Sequence, residues 1–192
     1  MNTDPFDLFY KWYLPVIDSG RENSNAVVLS SSSRNGRVSS RVVLLKEYDR
    51  DGFVFFTNYN SRKGSQLGEN HMASLLFYWP DTTRQIRIEG LVEKTTGTES
   101  DIYFNSRLPG RKINAVVSEQ SKPIDSISQY DQKLLSAMEF YKDNPPERPS
   151  HWGGFRLVPD RFEFWEEGEN RFHTRTEFIY DGDAWISRYL QP

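Results

Sequence analysis

Three nitrogen-rich side chains alternate in the stretch ENRFHTR (169–175), where Arg171 and Arg175 flank His173. In a regular strand these three side chains would point to the same face. Two cations beside a histidine repel one another unless an anion or a carboxylate lies near. The stretch therefore fits the polar centre of a site that binds an anion, and it fits a solvated strand as well.

A basic pair opens a predicted helix at SRKG (61–64), directly after a predicted strand. Free backbone N–H groups at a helix start favour anions, and Arg62 and Lys63 add positive charge there. Basic residues are unfavourable at a helix N-terminus unless an anion compensates. The pattern is typical of a phosphate site, although a basic first turn on a solvated face would look the same.

Tyr103 and Arg107 are four residues apart in DIYFNSR, which predicts that both lie on one face of a helix. A hydroxyl beside a guanidinium makes a good phosphate clamp, because arginine offers a fork of hydrogen-bond donors. The alternative is a surface pair that binds no ligand.

Two predicted strands also carry polar residues. Arg41 and Lys46 bracket the apolar run of SSRVVLLK, on opposite faces if the strand is regular. They could serve one site only where a ligand wraps the strand end or where two chains meet. In RQIRIEG, Gln85 shares a face with Arg87 and Glu89, and its amide suits the edge of a heterocycle because it both donates and accepts. For both strands the alternative is a solvated surface.

The elements that must position these residues are predicted to be mostly strands. An Asn-Gly pair between two β-branched runs indicates a hairpin, and five strands with short turns fall within about 70 residues. The capping-box spacing of Thr98 and Asp101 predicts a helix start. Helices are predicted at about 4–18, at the SRKG stretch, at 98–107 and at 127–142. The sequence thus predicts a mainly β protein with peripheral helices (α+β), an antiparallel barrel or sandwich, in a single domain over 1–192.

Composition narrows the class of protein. The 192 residues include 24 basic and 27 acidic residues, a balance that gives no reason to expect binding to nucleic acid or to a membrane. The chain has no cysteine, which excludes disulfides and thiolate metal sites, and its three scattered histidines argue against structural zinc. It shows no signal-peptide pattern and no apolar run near the roughly 20 residues that span a bilayer. We therefore expect a cytoplasmic protein without a metal.

Taken in order, these stretches resemble the pyridoxamine/pyridoxine 5′-phosphate oxidase family over nearly the whole chain. The resemblance is carried by SSRVVLLK, GFVFFTNYNSRKG, ASLLFYW, RQIRIEG, SEQSKPI, WGGFRLVPDRFEFW, NRFHTR and the C-terminal YLQP. It implies a split β-barrel that binds FMN at the interface of a homodimer. It also implies oxidation of pyridoxamine or pyridoxine 5′-phosphate to pyridoxal 5′-phosphate, with O2 reoxidising the flavin to give H2O2.

The resemblance also implies roles for individual residues. FMN would be bound by Arg41, Val42, Val43, Leu44, Leu45, Lys46, Phe56, Thr57, Arg62, Lys63, Gln85, Gln120, Ser121, Trp165 and Arg175. The substrate phosphate would be bound by Lys46, Tyr103 and Arg107. Arg171 and His173 would be catalytic, lying over the pyridine ring, with His173 as a neutral hydrogen-bond partner. Arg111, in RLPGRKINA, stands where the family usually has serine, and it would either charge the phosphate site or point away.

Two other functions are compatible with the same fold. A related flavin oxidase of the phenazine-biosynthesis type would keep much of the flavin site but would not need the phosphate-binding residues. A non-catalytic flavin- or haem-binding split-barrel protein would bind its cofactor and turn over no B6 vitamer.

Overall fold

Nine strands and five helices make up the part of the chain, residues 4–192, that the computed structural model describes. The strands are β1 Ala26–Ser32, β2 Val38–Leu44, β3 Glu47–Asp49, β4 Gly52–Asn58, β5 Met72–Trp79, β6 Arg84–Lys94, β7 Trp152–Glu166, β8 Thr174–Tyr180 and β9 Trp185–Tyr189. The helices are α1 Pro5–Asp18, α2 Arg62–Glu69, α3 Gly97–Ser106, α4 Pro109–Val117 and α5 Ile127–Phe140. Two short 3-10 helices, Pro80–Thr82 and Glu169–Arg171, complete the chain.

All strand pairs are antiparallel and form one sheet in the order β2-β1-β5-β6-β7-β4-β3, with β8 between β7 and β9. The two ends of this path, β2 and β3, are separated by only two residues in the chain, so the sheet has to curl. The Lys46 N–H closes the curl by donating to Val54 O at 2.8 Å. The predicted split barrel with peripheral helices is confirmed, as is the Asn-Gly hairpin between β1 and β2.

Aromatic side chains fill the barrel and attach α1 to it. Asp4 caps the helix by accepting from Phe6 N at 2.8 Å, and Pro5 occupies the first turn, where its missing N–H costs nothing. Phe9 is fully buried and meets Phe53 edge-on, with ring centroids 4.9 Å apart. Such edge-to-face pairs add to the area term of burial. The N-terminal helix predicted at about 4–18 is therefore present and is part of the core.

The helices outside the barrel differ from the prediction in two places. The cap of α3 is Thr96, whose side chain accepts from Glu99 N while Glu99 accepts from Thr96 N, so the predicted Thr98–Asp101 box is wrong. A second helix, α4, follows at once and was not predicted, because Pro109 and Gly110 dominate its first turn and mask its apolar spacing. No helix within 4–192 is long and apolar enough to cross a membrane.

Candidate functional site

A pocket of about 360 Å³ opens between the end of β2, the strand β4 and the helices α3 and α4. Many residues predicted from the sequence line it, namely Val42, Val43, Leu44, Lys46, Phe56, Thr57, Lys63, Tyr103, Arg107, Arg111 and Gln120. The residues that sequence reasoning missed are Asn58, Asn114, Ala115, Ser118 and Trp152. The pocket thus brings together one part of the predicted flavin set and the whole predicted phosphate clamp.

All the charged side chains that line this pocket are positive. It is lined by four cationic side chains, Lys46, Lys63, Arg107 and Arg111, and by no carboxylate. None of the four forms a salt bridge with any residue in 4–192. Clustered cations repel one another and cost free energy to bury unless an anion compensates. The arrangement therefore favours the binding of an anion.

One of the nitrogen atoms of Arg107 also lacks a partner for its positive charge in the described part of the chain. Its Nη1 is buried and has no hydrogen-bond partner among residues 4–192. Burial lowers the pKa of Arg107 below its ordinary value, Arg111 adds to this shift, and Tyr103 opposes it. A buried donor without a partner carries a desolvation cost of about 1–3 kcal/mol, and more when it is charged. A ligand oxygen at this place would remove that cost.

The structure brings the two residues of the predicted helical clamp to one pocket, but the predicted helical geometry is wrong. Arg107 lies one residue beyond α3, with extended backbone (φ −75°, ψ 150°), so it does not share a helix face with Tyr103. Both side chains nevertheless line the pocket. The helix ends there because the chain turns through Leu108 into α4, which begins at a proline.

Lys63 is held inside the pocket by the first turn of α2. Its Nζ donates to Thr57 Oγ1 at 2.9 Å and to Gln120 Oε1 at 3.2 Å. Burial, with a smaller contribution from Arg41, lowers the pKa of Lys63 to about 8. The helix predicted at SRKG is capped by Ser61, which accepts from Gly64 N at 3.3 Å. Lys63 is therefore a partly desolvated cation whose hydrogen-bond partners are all neutral.

The rest of the predicted barrel-side flavin set lies just outside the pocket. Arg41 points back onto its own sheet, donating to Ser31 Oγ at 2.7 Å, and burial lowers its pKa, with Arg62 adding to the shift. Arg62 is exposed and Leu45 is buried in the core. Ser121, with φ +73°, lines an adjoining pocket of about 780 Å³ between the loop 117–125 and α5.

Gly64 allows α2 to start close to the preceding strand. A Cβ at this position would overlap the Tyr59 carbonyl oxygen and lie 2.7 Å from Asn58 O. We expect Gly64→Ala to destabilise the fold by about 2 kcal/mol, because backbone atoms would have to move. Gly68→Ala in the same helix is the matched control, since a Cβ there meets nothing within 4 Å. It should be neutral or stabilising by roughly 0.5–1 kcal/mol. Chemical denaturation of both variants measures the difference, and equal stabilities would contradict the close approach.

A second group of predicted residues lies on the β6–β7–β8 part of the sheet. Trp165 is opposite Gln85 on one side and Arg175 on the other. The ring of His173 lies 4.7 Å from that of Trp165, and His173 Nδ1 accepts from Gly168 N at 3.4 Å. Since Nδ1 accepts, the neutral ring carries its proton on Nε2. None of these residues lines the 360 Å³ pocket.

The expectation that Arg171, His173 and Arg175 alternate along one strand is wrong. The strand β8 begins at Thr174, and Arg171 belongs to a short 3-10 helix with a left-handed backbone (φ +65°). Asn170 is also left-handed, and Phe172 N–H closes the turn on Glu169 O at 3.0 Å. Two successive left-handed residues break the period of 2 on which the expectation rested.

Arg175 has a partner that the sequence did not reveal. Its Nε and Nη2 bind Glu163 Oε1 at 2.8 and 2.7 Å, and its Nη1 donates to Gln191 O at 3.0 Å. Glu163 is only 3% exposed and also accepts from Arg87 Nη2. The bond to Glu163, together with the charges of Glu163 and Glu177, raises the pKa of Arg175, and burial opposes this shift. A carboxylate on the core strand β7 therefore neutralises part of the positive charge noted in ENRFHTR.

Two stretches of the chain match family models. Residues 15–133 match the family described as "Pyridoxamine 5'-phosphate oxidase", and residues 152–192 match the "Pyridoxine 5'-phosphate oxidase C-terminal dimerisation region". A pyridoxine/pyridoxamine 5′-phosphate oxidase of Paraburkholderia phymatum is 46% identical, over 100% of this chain and 91% of that protein. One of Trichormus variabilis is 41% identical, over 100% of this chain and 90% of that protein.

Two solved structures are also similar. PhzG from Burkholderia lata 383, in complex with tetrahydrophenazine-1-carboxylic acid, has a TM-score of 0.92 at 29% identity, over 98% of this chain and 93% of that one. A pyridoxamine 5′-phosphate oxidase-related, FMN-binding protein of Nostoc punctiforme has a TM-score of 0.76 at 18% identity, over 99% and 98% of the two chains. The second similarity supports the fold alone.

Proposed function

The chain belongs to the pyridoxamine 5′-phosphate oxidase family, and on this premise we propose that it is an FMN-dependent oxidase of B6 vitamer phosphates. It would convert pyridoxine or pyridoxamine 5′-phosphate to pyridoxal 5′-phosphate. The substrate loses two electrons and two protons, and O2 takes them up as H2O2; the amine substrate also requires water and releases ammonia. The observation that carries the proposal is the pocket with four cations, no carboxylate and a buried unpartnered Arg107 Nη1.

The residues present fit FMN as the cofactor. Lys63 and Arg62, at the start of α2, would bind its phosphate, and the chain of β2 from Val42 to Leu44 would line its ring system. Lys63 supports this assignment because it is a partly desolvated cation whose hydrogen-bond partners are all neutral. When bound, FMN supplies the redox chemistry, accepting two electrons from the substrate and passing them to O2.

The two separate groups of predicted residues support a homodimer with a shared site. The second group, at Trp165 and His173, does not line the pocket of its own chain. The match of 152–192 to a dimerisation region supports homodimer formation. We propose that a second copy places its Gln85, Trp165, Arg171, His173 and Arg175 against this pocket. Residues 1–192 would act as a single domain, and a cytoplasmic location stays a prediction from the sequence.

In this arrangement the protein binds, orients and moves a proton. Lys46, Tyr103 and Arg107 would bind the substrate phosphate, with Arg111 as an additional cation at the same pocket. The bound phosphate fixes the distance from that end of the substrate to its reacting carbon. Arg171 and His173 would lie over the pyridine ring. His173, with Nδ1 accepting from Gly168 N, presents Nε2 for a hydrogen bond to the group on the reacting carbon.

Turnover of the phosphorylated substrate tests the function. We expect the FMN-loaded protein to form pyridoxal 5′-phosphate from pyridoxine 5′-phosphate, with one H2O2 per product. Pyridoxine without the phosphate is the matched control, and its kcat/KM should be at least about 100-fold lower, because binding energy from the phosphate is lost. Absorbance of the product and a coupled peroxide assay measure both. A yellow protein that oxidises neither compound would instead support a non-catalytic flavin protein.

A second candidate is a phenazine-type oxidase, favoured by the similarity to PhzG with its bound carboxylic acid. A carboxylate could pair with one or two of the pocket's cations. Apart from Lys63, which is assigned to FMN, three cations line the pocket, Lys46, Arg107 and Arg111, and they match a doubly charged phosphate better than a single carboxylate. Higher kcat/KM with a tetrahydrophenazine carboxylic acid than with pyridoxine 5′-phosphate would favour this candidate.

A further inference from the structure

Arg107 is held in the pocket by an aromatic ring and not by a carboxylate. Its Cζ lies 4.5 Å from the centroid of the Trp152 indole, close enough for a cation–π contact. The next ring, that of Phe104, is 5.9 Å away. Arg107 forms no salt bridge within 4–192, and its buried Nη1 has no partner there. The indole is thus the main contact that orients this guanidinium.

Trp152 is itself held firmly. It is 6% exposed, and its ring meets Phe104 edge-on at 5.4 Å. Its carbonyl accepts from Arg148 Nη1 at 2.8 Å, and Arg148 Nε also binds Asp101 of α3 at 2.6 Å. The indole is therefore held in a fixed orientation. Through Arg148 and Asp101 it is tied to α3, the helix that Arg107 directly follows.

The Trp152 indole also packs near Tyr103, the second residue proposed to bind the substrate phosphate. Trp152 and Tyr103 are nearly parallel, with an interplanar angle of 6° and centroids 6.2 Å apart. Phe56 packs against both rings, with its centroid 3.9 Å from that of Tyr103 and 5.7 Å from that of Trp152, and is nearly parallel to each. Three parallel rings thus set the relative positions of Tyr103 and Arg107, which the interrupted helix α3 could not do alone.

We propose that Trp152 is a positioning residue for anion binding, because its indole face orients the Arg107 guanidinium so that the buried Nη1 is available to a phosphate oxygen. The inference rests on the proposed function for the identity of the phosphate compound. It does not depend on oxidase turnover. An indole suits this role because tryptophan gives the strongest cation–π contact, and the planar guanidinium stacks on it.

Binding measurements on the FMN-loaded full chain test the role. We expect Trp152→Leu to weaken binding of pyridoxal 5′-phosphate and of inorganic phosphate about 10-fold, and Trp152→Phe about 3-fold, since phenylalanine is the weaker cation–π partner. Titration calorimetry gives both constants. The value of KM for pyridoxine 5′-phosphate should rise by the same factors, while kcat stays within about twofold, as for a loss of uniform binding. FMN content should be unchanged.

A double-mutant cycle separates positioning from general damage to the fold. In an Arg107→Leu background, Trp152→Leu should weaken phosphate binding by less than about twofold, because the residue through which it acts is gone. Trp12→Leu is the matched control: it removes the Arg84–Trp12 cation–π contact, of 4.6 Å, outside the pocket. It should leave phosphate binding unchanged.

The outcomes are distinguishable from failure of the proposed function. The positioning role would be overturned if Trp152→Leu weakened phosphate binding equally with and without Arg107, or if it caused no loss. It would also be overturned if the wild-type protein bound neither pyridoxal 5′-phosphate nor inorganic phosphate. A wild-type protein that binds phosphate but oxidises no B6 vitamer would contradict the proposed oxidase function. The double-mutant cycle would still decide whether Trp152 positions Arg107. If Trp152→Leu does not fold, Trp152→Phe replaces it in the cycle, because it keeps an aromatic ring against Phe104. It is then measured alone and in the Arg107→Leu background.

Discussion

Lys63→Met should weaken FMN binding about 100-fold. The ammonium is already partly desolvated by the protein, and all its hydrogen-bond partners are neutral. Hydrogen bonds to a charged group are worth about 1.5–3 kcal/mol, which corresponds to roughly 10- to 150-fold in affinity. We expect the upper part of this range because no carboxylate lines the pocket to compete with the phosphate. Fluorescence titration of the apoprotein with FMN measures the loss.

The dependence on pH gives this prediction a second readout. The pKa of Lys63 is about 8 in the protein without its ligand. Below pH 8 the lysine is charged and ready to bind, whereas above it FMN binding requires uptake of a proton. The FMN dissociation constant should therefore rise with pH above 8, approaching tenfold per unit, and this slope should be missing in Lys63→Met.

The same shift predicts the stability of the apoprotein. The folded pKa of about 8 lies below the ordinary value of 10.5, so the unfolded chain binds more protons between these values. The contribution of Lys63 to the free energy of unfolding therefore rises from pH 8 to 10.5. Denaturation of the apoprotein at several pH values should show this rise, and Lys63→Met should lose it.

Lys122→Met is the matched control for Lys63→Met. Lys122 lies on the loop before α5, is 64% exposed and pairs with Glu119 at 3.0 Å. Its replacement should change neither FMN affinity nor its pH dependence. An FMN affinity for Lys63→Met within threefold of the wild type would show that the phosphate of FMN binds elsewhere.

The secondary structure around the pocket that the sequence predicted correctly depends on local rules. Ser61 caps α2 and Lys63 lies in its first turn, because a cap, a glycine and a basic pair within four residues are all that this geometry needs. The strands and the Asn-Gly hairpin follow from alternation and turn chemistry in the same way. The sequence predicted the antiparallel β class of the fold, and the structure adds which strands are neighbours in the sheet.

The parts that sequence reasoning missed depend on contacts between distant segments. Trp152 is 45 positions from Arg107, and nothing in the spacing of either residue predicts that the guanidinium stacks on the indole. Arg171 was placed on a strand because two left-handed residues at 170 and 171 carry no glycine to mark them. The assignment of residues to one site by resemblance also hides that they form two groups in one chain.

Glu163 is a further residue of this kind, and Glu163→Ala should cost about 3 kcal/mol of the free energy of unfolding. Its carboxylate is 3% exposed and binds Arg87 of β6 and Arg175 of β8 across three strands. Removing one member of a buried charge network leaves the others uncompensated, at about 3–5 kcal/mol. We expect the lower end because the two arginines are 36% and 28% exposed, and solvent screens them.

Glu166→Ala on the same strand is the matched control, since Glu166 also binds an arginine, Arg84, but is 41% exposed. An exposed pair contributes about 0–1 kcal/mol, so chemical denaturation should separate the two variants by at least about 2 kcal/mol. Arg175 lies beside Trp165, so Glu163→Ala should also release Arg175 and lower FMN retention, whereas Glu166→Ala should not. If both variants lose the same stability, the Glu163 network does not hold β8 on the sheet. In that case the orientation of Arg175 would depend on the bond to the Gln191 carbonyl and not on the carboxylate.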